Sequence, residues 1–460
     1  MQPVTPAMAG MRRRLAVAVR PGSRGIAIVV AVIVLLGGGL RAASAANPDL
    51  ANPSSDERGY AAVAIGFVHG HGGSLHWPPG APAMFAVAQK LYPTPELRAA
   101  YWAQAVVGTA LVPVVFWLGL LVWGPGVGLT AAALIAIYPP YVTLAGQLLS
   151  EPLGTLTLAG GVAALLAAWR LRRVWLFALA GALMGATVLV RADLIGIPVI
   201  AVALTGWFSR ALGPRQAITA ALAVAVAALV VVLPWTAYAT LREGHLVPVT
   251  EGEGAALFVG TYLPGEGTTF GMKRELAPAV RARYPRYAHV DPHVIPASVV
   301  LRLVADRHPE LPRDGALRRE AGGNLRRYAG GRPLAFARMM VVKASRMWLV
   351  SSRAGIKTKS ELTRALHFVA VVVLAVALAA AWVMRRRPPL TLILATLAYA
   401  TLLHAVFVSK PRYALPLLPL LVVGGLAGAA QLLAARPSAS RRRASAEDRR
   451  GAAPSYLGPT

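Results

Sequence analysis

Two neighbouring carboxylates, Asp56 and Glu57, stand in the run Ser54-Ser55-Asp56-Glu57-Arg58-Gly59-Tyr60, just after the first long apolar stretch. A third, Glu151, lies in Leu148-Leu149-Ser150-Glu151-Pro152. The cations Arg191, Lys410 and Arg412 each border another apolar stretch, with Asp193 beyond Arg191 and Tyr413 directly after Arg412. A carboxylate held at a polar boundary can draw the proton from an acceptor hydroxyl, and cations beside it can stabilise charge developing on a departing phosphate. Taken together, these are the groups that transfer of a sugar from a lipid-phosphate carrier requires. Singly, each has a plainer use: an acid pair is commonly a solvated loop, arginines at helix ends reach out to the interface, and Glu151 pairs with one of them.

What positions these groups is a membrane. The chain has 460 residues, 56% of them hydrophobic and 14% charged, with mean hydropathy +0.56. A soluble fold of that composition would expose far too much apolar surface. Apolar runs near the roughly 20 residues needed to cross the hydrocarbon fall at about 25–41, 99–122, 126–146, 153–169, 174–190, 193–208, 216–238, 365–384, 390–408 and 413–434. The expected fold is therefore an all-α polytopic membrane protein of about ten transmembrane helices, with an extramembrane domain over 239–362. The first run follows a basic stretch and ends in small residues, as a cleavable signal peptide would. Its length favours retention as the first helix.

The net charge of +28 does not point to nucleic acid, because long uncharged runs separate the cations and no basic helix is interleaved with stacking aromatics. Sidedness explains it better. With the N-terminus (1–24) inside, the cytoplasmic connections carry Arg170, Arg172 and Arg173, then Arg210 and Arg215, then Arg385 to Arg387, and the tail 435–460 carries Arg441 to Arg443. Short connections on the other side carry chiefly Arg191, Lys410 and Arg412, in keeping with the retention of Lys and Arg in the cytoplasm. The basic segment 239–362 falls outside, where a long loop translocates largely regardless of charge. The tail's Arg, Ser, Ala, Pro and Gly composition predicts a disordered cytoplasmic segment touching anionic lipid. The expected location is the plasma membrane, with the working face outside the cytoplasm.

The first outer loop, 47–98, contains Gly72-Gly73-Ser74-Leu75-His76-Trp77-Pro78-Pro79-Gly80 and then a short helix over 81–91 that lies along the interface. His69, His71 and His76 invite a metal, but no carboxylate or cysteine spacing completes such a site, and a Gly-rich loop accounts for them better. The chain has no cysteine, so it offers no disulfide framework and no thiolate site. The expectation is no metal ligand and no cofactor, with metal dependence left open. Gly252, Gly254, Gly260, Gly265, Gly267 and Gly271 read as a loop over the outer cavity, since no GxxxxGK[ST] pattern marks a phosphate cradle. Residues 328–350 read as an amphipathic helix returning the chain to the bilayer.

Several of these stretches resemble membrane glycosyltransferases of the GT-C class, particularly bacterial glycosyltransferase family 39, which is similar to protein O-mannosyltransferases and the aminoarabinose transferase of lipid A. The likeness runs through Asp56-Glu57 with Tyr60, Gly73-Ser74 with Trp77-Pro78-Pro79-Gly80 and Pro82, and Leu148 to Pro152. It continues through Gly181 to Gly185 leading to Leu189-Val190-Arg191, then Leu233-Pro234-Trp235, and Pro411-Arg412-Tyr413-Ala414-Leu415-Pro416. No one of these is specific; their order and spacing are. The resemblance implies a GT-C-like fold, a polyprenyl-phosphate donor of a hexose or pentose, and a protein, lipid or glycan acceptor outside the cytoplasm. It implies a catalytic base at Asp56 with Glu57 beside it, and substrate-binding roles for Tyr60, Glu151, Arg191, Lys410, Arg412 and Tyr413. Gly260-Thr261-Tyr262 stands where relatives often carry a Gly-Asn pair, which leaves acceptor recognition open.

Two other classes compete with this reading. A lipid or sugar transporter or flippase needs no covalent chemistry, but commonly shows midplane charges and broken helices in two related halves, and no internal repeat is evident here. A non-catalytic assembly subunit would use the outer domain to bind a partner. Sidedness is measurable directly in a cysteine-free chain: of single cysteines at Ser55, Ser209, Thr268 and Ser440, an impermeant thiol reagent on intact cells is expected to label only those at Ser55 and Thr268.

Overall fold

The computed structural model of the chain describes residues 23–209, 213–350 and 361–435. The basic N-terminal residues 11–20, Arg210, and the tail from 436 onward, on which part of the expected sidedness and the expected disorder rest, lie outside the described residues. Among the described residues all regular structure is helical, as lipid demands of a chain whose backbone groups must pair within each segment. The order is α1 (Ser23–Ala46), the short α2 (Ser55–Val68) and α3 (Gly80–Leu91), α4 (Arg98–Val122), α5 (Pro125–Ile137), α6 (Pro139–Thr143), α7 (Glu151–Leu171), α8 (Val174–Val190), α9 (Gly196–Phe208) and α10 (Pro214–Glu243). Shorter helices follow: α11 (Glu253–Thr261), α12 (Thr269–Arg283), α13 (Ala297–Ala305), α14 (Arg313–Asn324) and α15 (Pro333–Leu349). The chain ends in α16 (Glu361–Met384), α17 (Pro388–Val406) and α18 (Leu418–Ala434).

All ten expected apolar runs are helical, but three are not single long helices. Among the described residues seven helices are long and apolar enough to cross a membrane: α1, α4, α7, α10, α16, α17, and α18 together with its preceding turn. The run at 126–146 is broken, its halves bent by 57°. Pro139 and Pro140 explain the break, because Tyr138 before them takes an extended backbone, φ −63° and ψ 117°, as a residue preceding proline is pushed to do. The runs at 174–190 and 193–208 are shorter helices, α8 and α9, divided at Arg191, whose backbone is extended. The division puts that arginine at a helix end.

Close helix crossings rest on small residues, as expected where lipid is no less apolar than a side chain and contact must come from packing. A Cβ on Gly181 of α8 would collide with the Val224 carbonyl of α10, and one on Gly185, a turn later, would stand 2.8 Å from the Ala228 carbonyl. Gly428 of α18 leaves the same room for the Ala377 carbonyl of α16.

Arg41, on α1, is fully buried. Its guanidinium donates to the carbonyls of Gly37 (2.9 Å), Ala136 (2.9 Å) and Ile135 (3.0 Å). The last two belong to the final turn of α5, where carbonyls have no helical partner and a cation meets the negative end of the helix dipole. The bend after α5 thus leaves open carbonyls that α1 satisfies.

Between α10 and α16 the shorter helices gather round a core of their own, built from Phe258, Met272, Val280, Ile295, Val300, Val304 and Leu317 among others. On its surface Glu320 holds Arg307 (3.3 Å) and His308 (2.9 Å). α15 rejoins the bundle through Trp348, whose Nε1 donates to Thr401 Oγ1 of α17 at 2.9 Å.

Candidate functional site

The cap of α2 separates the two neighbouring acids. Ser54 caps the helix, its hydroxyl accepting from the Glu57 amide (3.2 Å) while the Glu57 carboxylate accepts from the Ser54 amide (2.9 Å). This reciprocal box satisfies two amides that the helix start leaves open. Glu57 is thereby committed to the cap. Asp56, in the same first turn, points instead to Arg412, with which it forms a hydrogen-bonded ion pair, and lies 3.7 Å from Lys410 Nζ. The expected pair of catalytic acids therefore divides: only Asp56 reaches the cations.

Arg412 comes from the far end of the chain, on the turn Pro411–Leu417 that opens α18. It also faces the first residue of α7, with its Nε 3.4 Å from Glu151 Oε1. The same Glu151 oxygen lies 3.5 Å from Arg191 Nη1. Arg191, freed from the helix at the α8–α9 division, grips Asp193 with two contacts, 3.2 Å from Nε and 2.8 Å from Nη2. Asp193 in turn meets His404 Nε2 of α17 at 3.0 Å. The turn behind it is fixed by Tyr399, whose hydroxyl donates to the Asp193 carbonyl (3.1 Å) and accepts from the Gly196 amide (2.9 Å).

Charges thus alternate along one continuous chain, from Lys410 through Asp56, Arg412, Glu151 and Arg191 to Asp193, which the His404 ring meets at the far end. Tyr413 packs beside it, stacked on His404 with ring centroids 4.8 Å apart, and with the guanidiniums of Arg191 and Arg412 over its ring at 5.2 and 5.7 Å. Tyr60 closes the other flank. Its hydroxyl donates to Ser150 Oγ at 3.0 Å, and its ring leans on Trp77 at 4.8 Å, which fits only because residue 59 is a glycine. Every expected site residue except Glu57 therefore lies in or against one cluster.

Burial raises the Asp56 carboxyl, but the charges of Arg412 and Lys410 and the hydrogen bonds from Arg412 and Ser55 outweigh it, and the acid is held below the usual carboxylate range. Tyr60 is shifted up by burial and then by the Glu151 charge, so it stays a neutral hydrogen-bond donor. Glu151 is only 1% exposed, and its Oε2 has no hydrogen-bond partner among the described residues. A buried carboxylate oxygen left open in this way is ready to accept from a donor group.

His404 did not stand out in the sequence because it sits inside the apolar run 390–408. A lone titratable residue in a span is itself the signal that could have found it. His69, His71 and His76 do not join into a metal site: no group of three or more potential ligands gathers among the described residues. Between α2, the end of α8 and α10 lies an open apolar groove of about 510 Å³, lined by Phe67, Leu189, Val231, Pro234 and Trp235 among others. None of the cluster's charged residues lines it; the lining residue nearest to them in sequence is Leu189, two positions before Arg191.

No protein-family model and no curated protein sequence matches the chain. By fold it is similar to the oligosaccharyltransferase AglB of Archaeoglobus fulgidus in complex with an inhibitory peptide and a dolichol-phosphate. That match has 13% identity and a TM-score of 0.55 over 95% of this chain and 53% of that one. The apo form of the Archaeoglobus enzyme matches with 13% identity and a TM-score of 0.52, over 88% and 50%. A structure of ArnT from Cupriavidus metallidurans bound to undecaprenyl phosphate aligns at 16% identity, with a TM-score of 0.40 over 89% and 78%. The chain spans about half the length of the oligosaccharyltransferase structures it matches. The all-α, GT-C-like membrane fold implied by the sequence resemblance is borne out.

The two glutamates make a test of this geometry. Glu151→Gln breaks a buried pair and should destabilise the protein by about 3–5 kcal/mol, whereas Glu57→Gln, which keeps an oxygen able to complete the capping box and loses only a charge at the helix start, should cost about 0.3–1 kcal/mol. Thermal unfolding in detergent ranks them; equal losses would mean that Glu151 is not the buried link between the two arginines.

Proposed function

We propose that the chain is a membrane glycosyltransferase that moves a hexose or pentose from a polyprenyl-phosphate donor to a hydroxyl-bearing acceptor. The observation that carries this reading is the meeting of Asp56 with Lys410 and Arg412 at one end of the bundle. In the reaction a bond forms between the acceptor oxygen and the anomeric carbon while the bond from that carbon to the phosphate oxygen breaks. Asp56 takes the hydroxyl proton, and the two cations meet the charge left on the phosphate. Arg191 and Asp193 support the site from behind by fixing Glu151 and Tyr413, and the open Glu151 oxygen is suited to a sugar hydroxyl. The apolar groove is suited in size and polarity to part of the prenyl chain.

At rest Asp56 is a poor base, because the cations that would serve the phosphate are paired with it. Donor binding relieves this. A phosphate competes for Lys410 and Arg412, weakens their hold on Asp56, and so raises its affinity for a proton just when a proton must be taken. The reading also places loop 47–98 and the domain 239–362 on the extracytoplasmic side of the plasma membrane, with residues 1–24 and the tail 435–460 in the cytoplasm. The acceptor, whether protein, lipid or glycan, then meets the donor outside.

In proteoliposomes carrying a labelled polyprenyl-phosphate sugar, Asp56→Asn should reduce transfer by about 10²–10⁴-fold, while Glu57→Gln stays within a few-fold of wild type. Full activity in a folded Asp56→Asn variant would refute the assignment, and lipid movement without sugar transfer would favour a flippase. The pH profile gives a second check. Because the cations hold Asp56 down, its basic form persists to lower pH than in a free carboxylate. Lys410→Met should therefore move the acid limb of kcat/KM to higher pH; a limb that stays in place would assign the titration to another group.

A further inference from the structure

Lys343, on α15, is a buried cation outside the charged cluster, only 1% exposed. Its ammonium donates to the carbonyl of Gly260 at 2.7 Å and to that of Val406 at 3.3 Å. Gly260 is in the last turn of α11 and Val406 is the last residue of α17. One side chain therefore serves two helix ends whose carbonyls lack helical partners, at the negative pole of each. The segment after Val406 is tied twice more: the Val408 amide donates to the Ala256 carbonyl of α11 at 3.1 Å, and Ser409 Oγ donates to the backbone carbonyl of Lys343 itself at 3.2 Å. The next residues are Lys410 and Arg412, which reach Asp56.

The fit leaves little slack. A Cβ on Gly267 would stand 2.6 Å from Lys343 Cδ, and one on Gly260 would collide with the Val406 carbonyl. A surface lysine bridging loops would show neither the burial nor the glycines cleared around it.

From this geometry we infer that Lys343 is a positioning residue: it clamps loop 407–410 against the second core and so sets where Lys410 and Arg412 stand. Its consequence for catalysis rests on the phosphate role proposed above for those two cations. Burial pushes the Lys343 ammonium down to about 7. In its neutral form the amine still carries two N–H groups for the two carbonyls, so the clamp holds on both sides of neutral pH. Methionine, of similar length and shape, fills the space and donates nothing.

The test uses the full chain, with Lys410→Cys as its only cysteine and alkylation by a soluble maleimide as the readout of loop position. Adding Lys343→Met should accelerate alkylation several-fold. Separately, Lys343→Met with Lys410 intact should raise the donor KM by about ten-fold or more while changing kcat less, the signature of binding geometry lost. Ser409→Ala, which removes one tie and leaves the buried lysine in place, should shift both readouts in the same direction by less, and carries the test if Lys343→Met does not fold. Unchanged alkylation in folded variants, or faster alkylation with an unchanged donor KM, overturns the positioning role. Faster alkylation in a chain whose wild type moves no sugar from any polyprenyl phosphate would sink the functional reading and leave the clamp standing.

Discussion

Arg412 lies between two carboxylates, Asp56 and Glu151, that arrive from different parts of the chain, and it is the one side chain among the described residues that pairs with both. A unit pair at about 4 Å gains only about 1 kcal/mol in water but about 4 at the effective dielectric of a protein's edge. The desolvation each ion suffers is of the same kind and opposes it. Such a contact holds only where packing keeps the partners in register. Here the register is set by the cap of α2, the start of α7 and the proline-bounded turn before α18, elements separated by up to 356 residues in sequence. Three carboxylates and three permanent cations alternate along the chain of contacts. At rest the site carries no large excess of either sign, so under the function proposed above the donor phosphate displaces a carboxylate rather than filling an empty positive hole.

Much of this was legible in the amino-acid sequence. Apolar length located the helices, and the excess of cations at one set of loops sorted their ends. Arg170 does reach the Leu121 carbonyl and Arg387 the Trp123 ring, at the ends of α7 and α4 remote from Glu151. Asp56, Glu151, Arg191, Lys410 and Arg412 were singled out because charges beside apolar runs are unfavourable unless used. Glu57 shows where such reasoning stops. Composition cannot tell which of two adjacent acids turns back to cap its own helix, although the Ser-x-x-Glu spacing from Ser54 was there to be read. The break at Tyr138 was likewise written in Pro139-Pro140, but apolar length outweighed it. His404 and Lys343 were hidden for a simpler reason: their partners, Asp193 in one case and two backbone carbonyls in the other, are distant in sequence and carry no local pattern.

The second core is more than an appendage on the bundle. Its first helix, α11, touches the segment after α17 through Ala256 and Gly260, the same segment that delivers the site's cations. Glu251 of the approach to α11 donates its amide to the Leu75 carbonyl at 2.8 Å, beside Trp77. The second core and its approach therefore meet the site from two sides, and substitutions in α11 have a path to it through backbone contacts.

Arg41 bears on how the molecule is made. Its guanidinium finds its carbonyl partners in the last turn of α5, some 95 residues later in the chain. When α1 first enters the membrane those acceptors have not yet been synthesised, so the side chain must stay at the headgroup boundary with its helix displaced toward that side. α1 can settle to its final depth only once α4 and the broken pair α5–α6 are in place. The seating of α1 thus depends on a helix end synthesised well after it, and its own apolar length does not by itself set its depth.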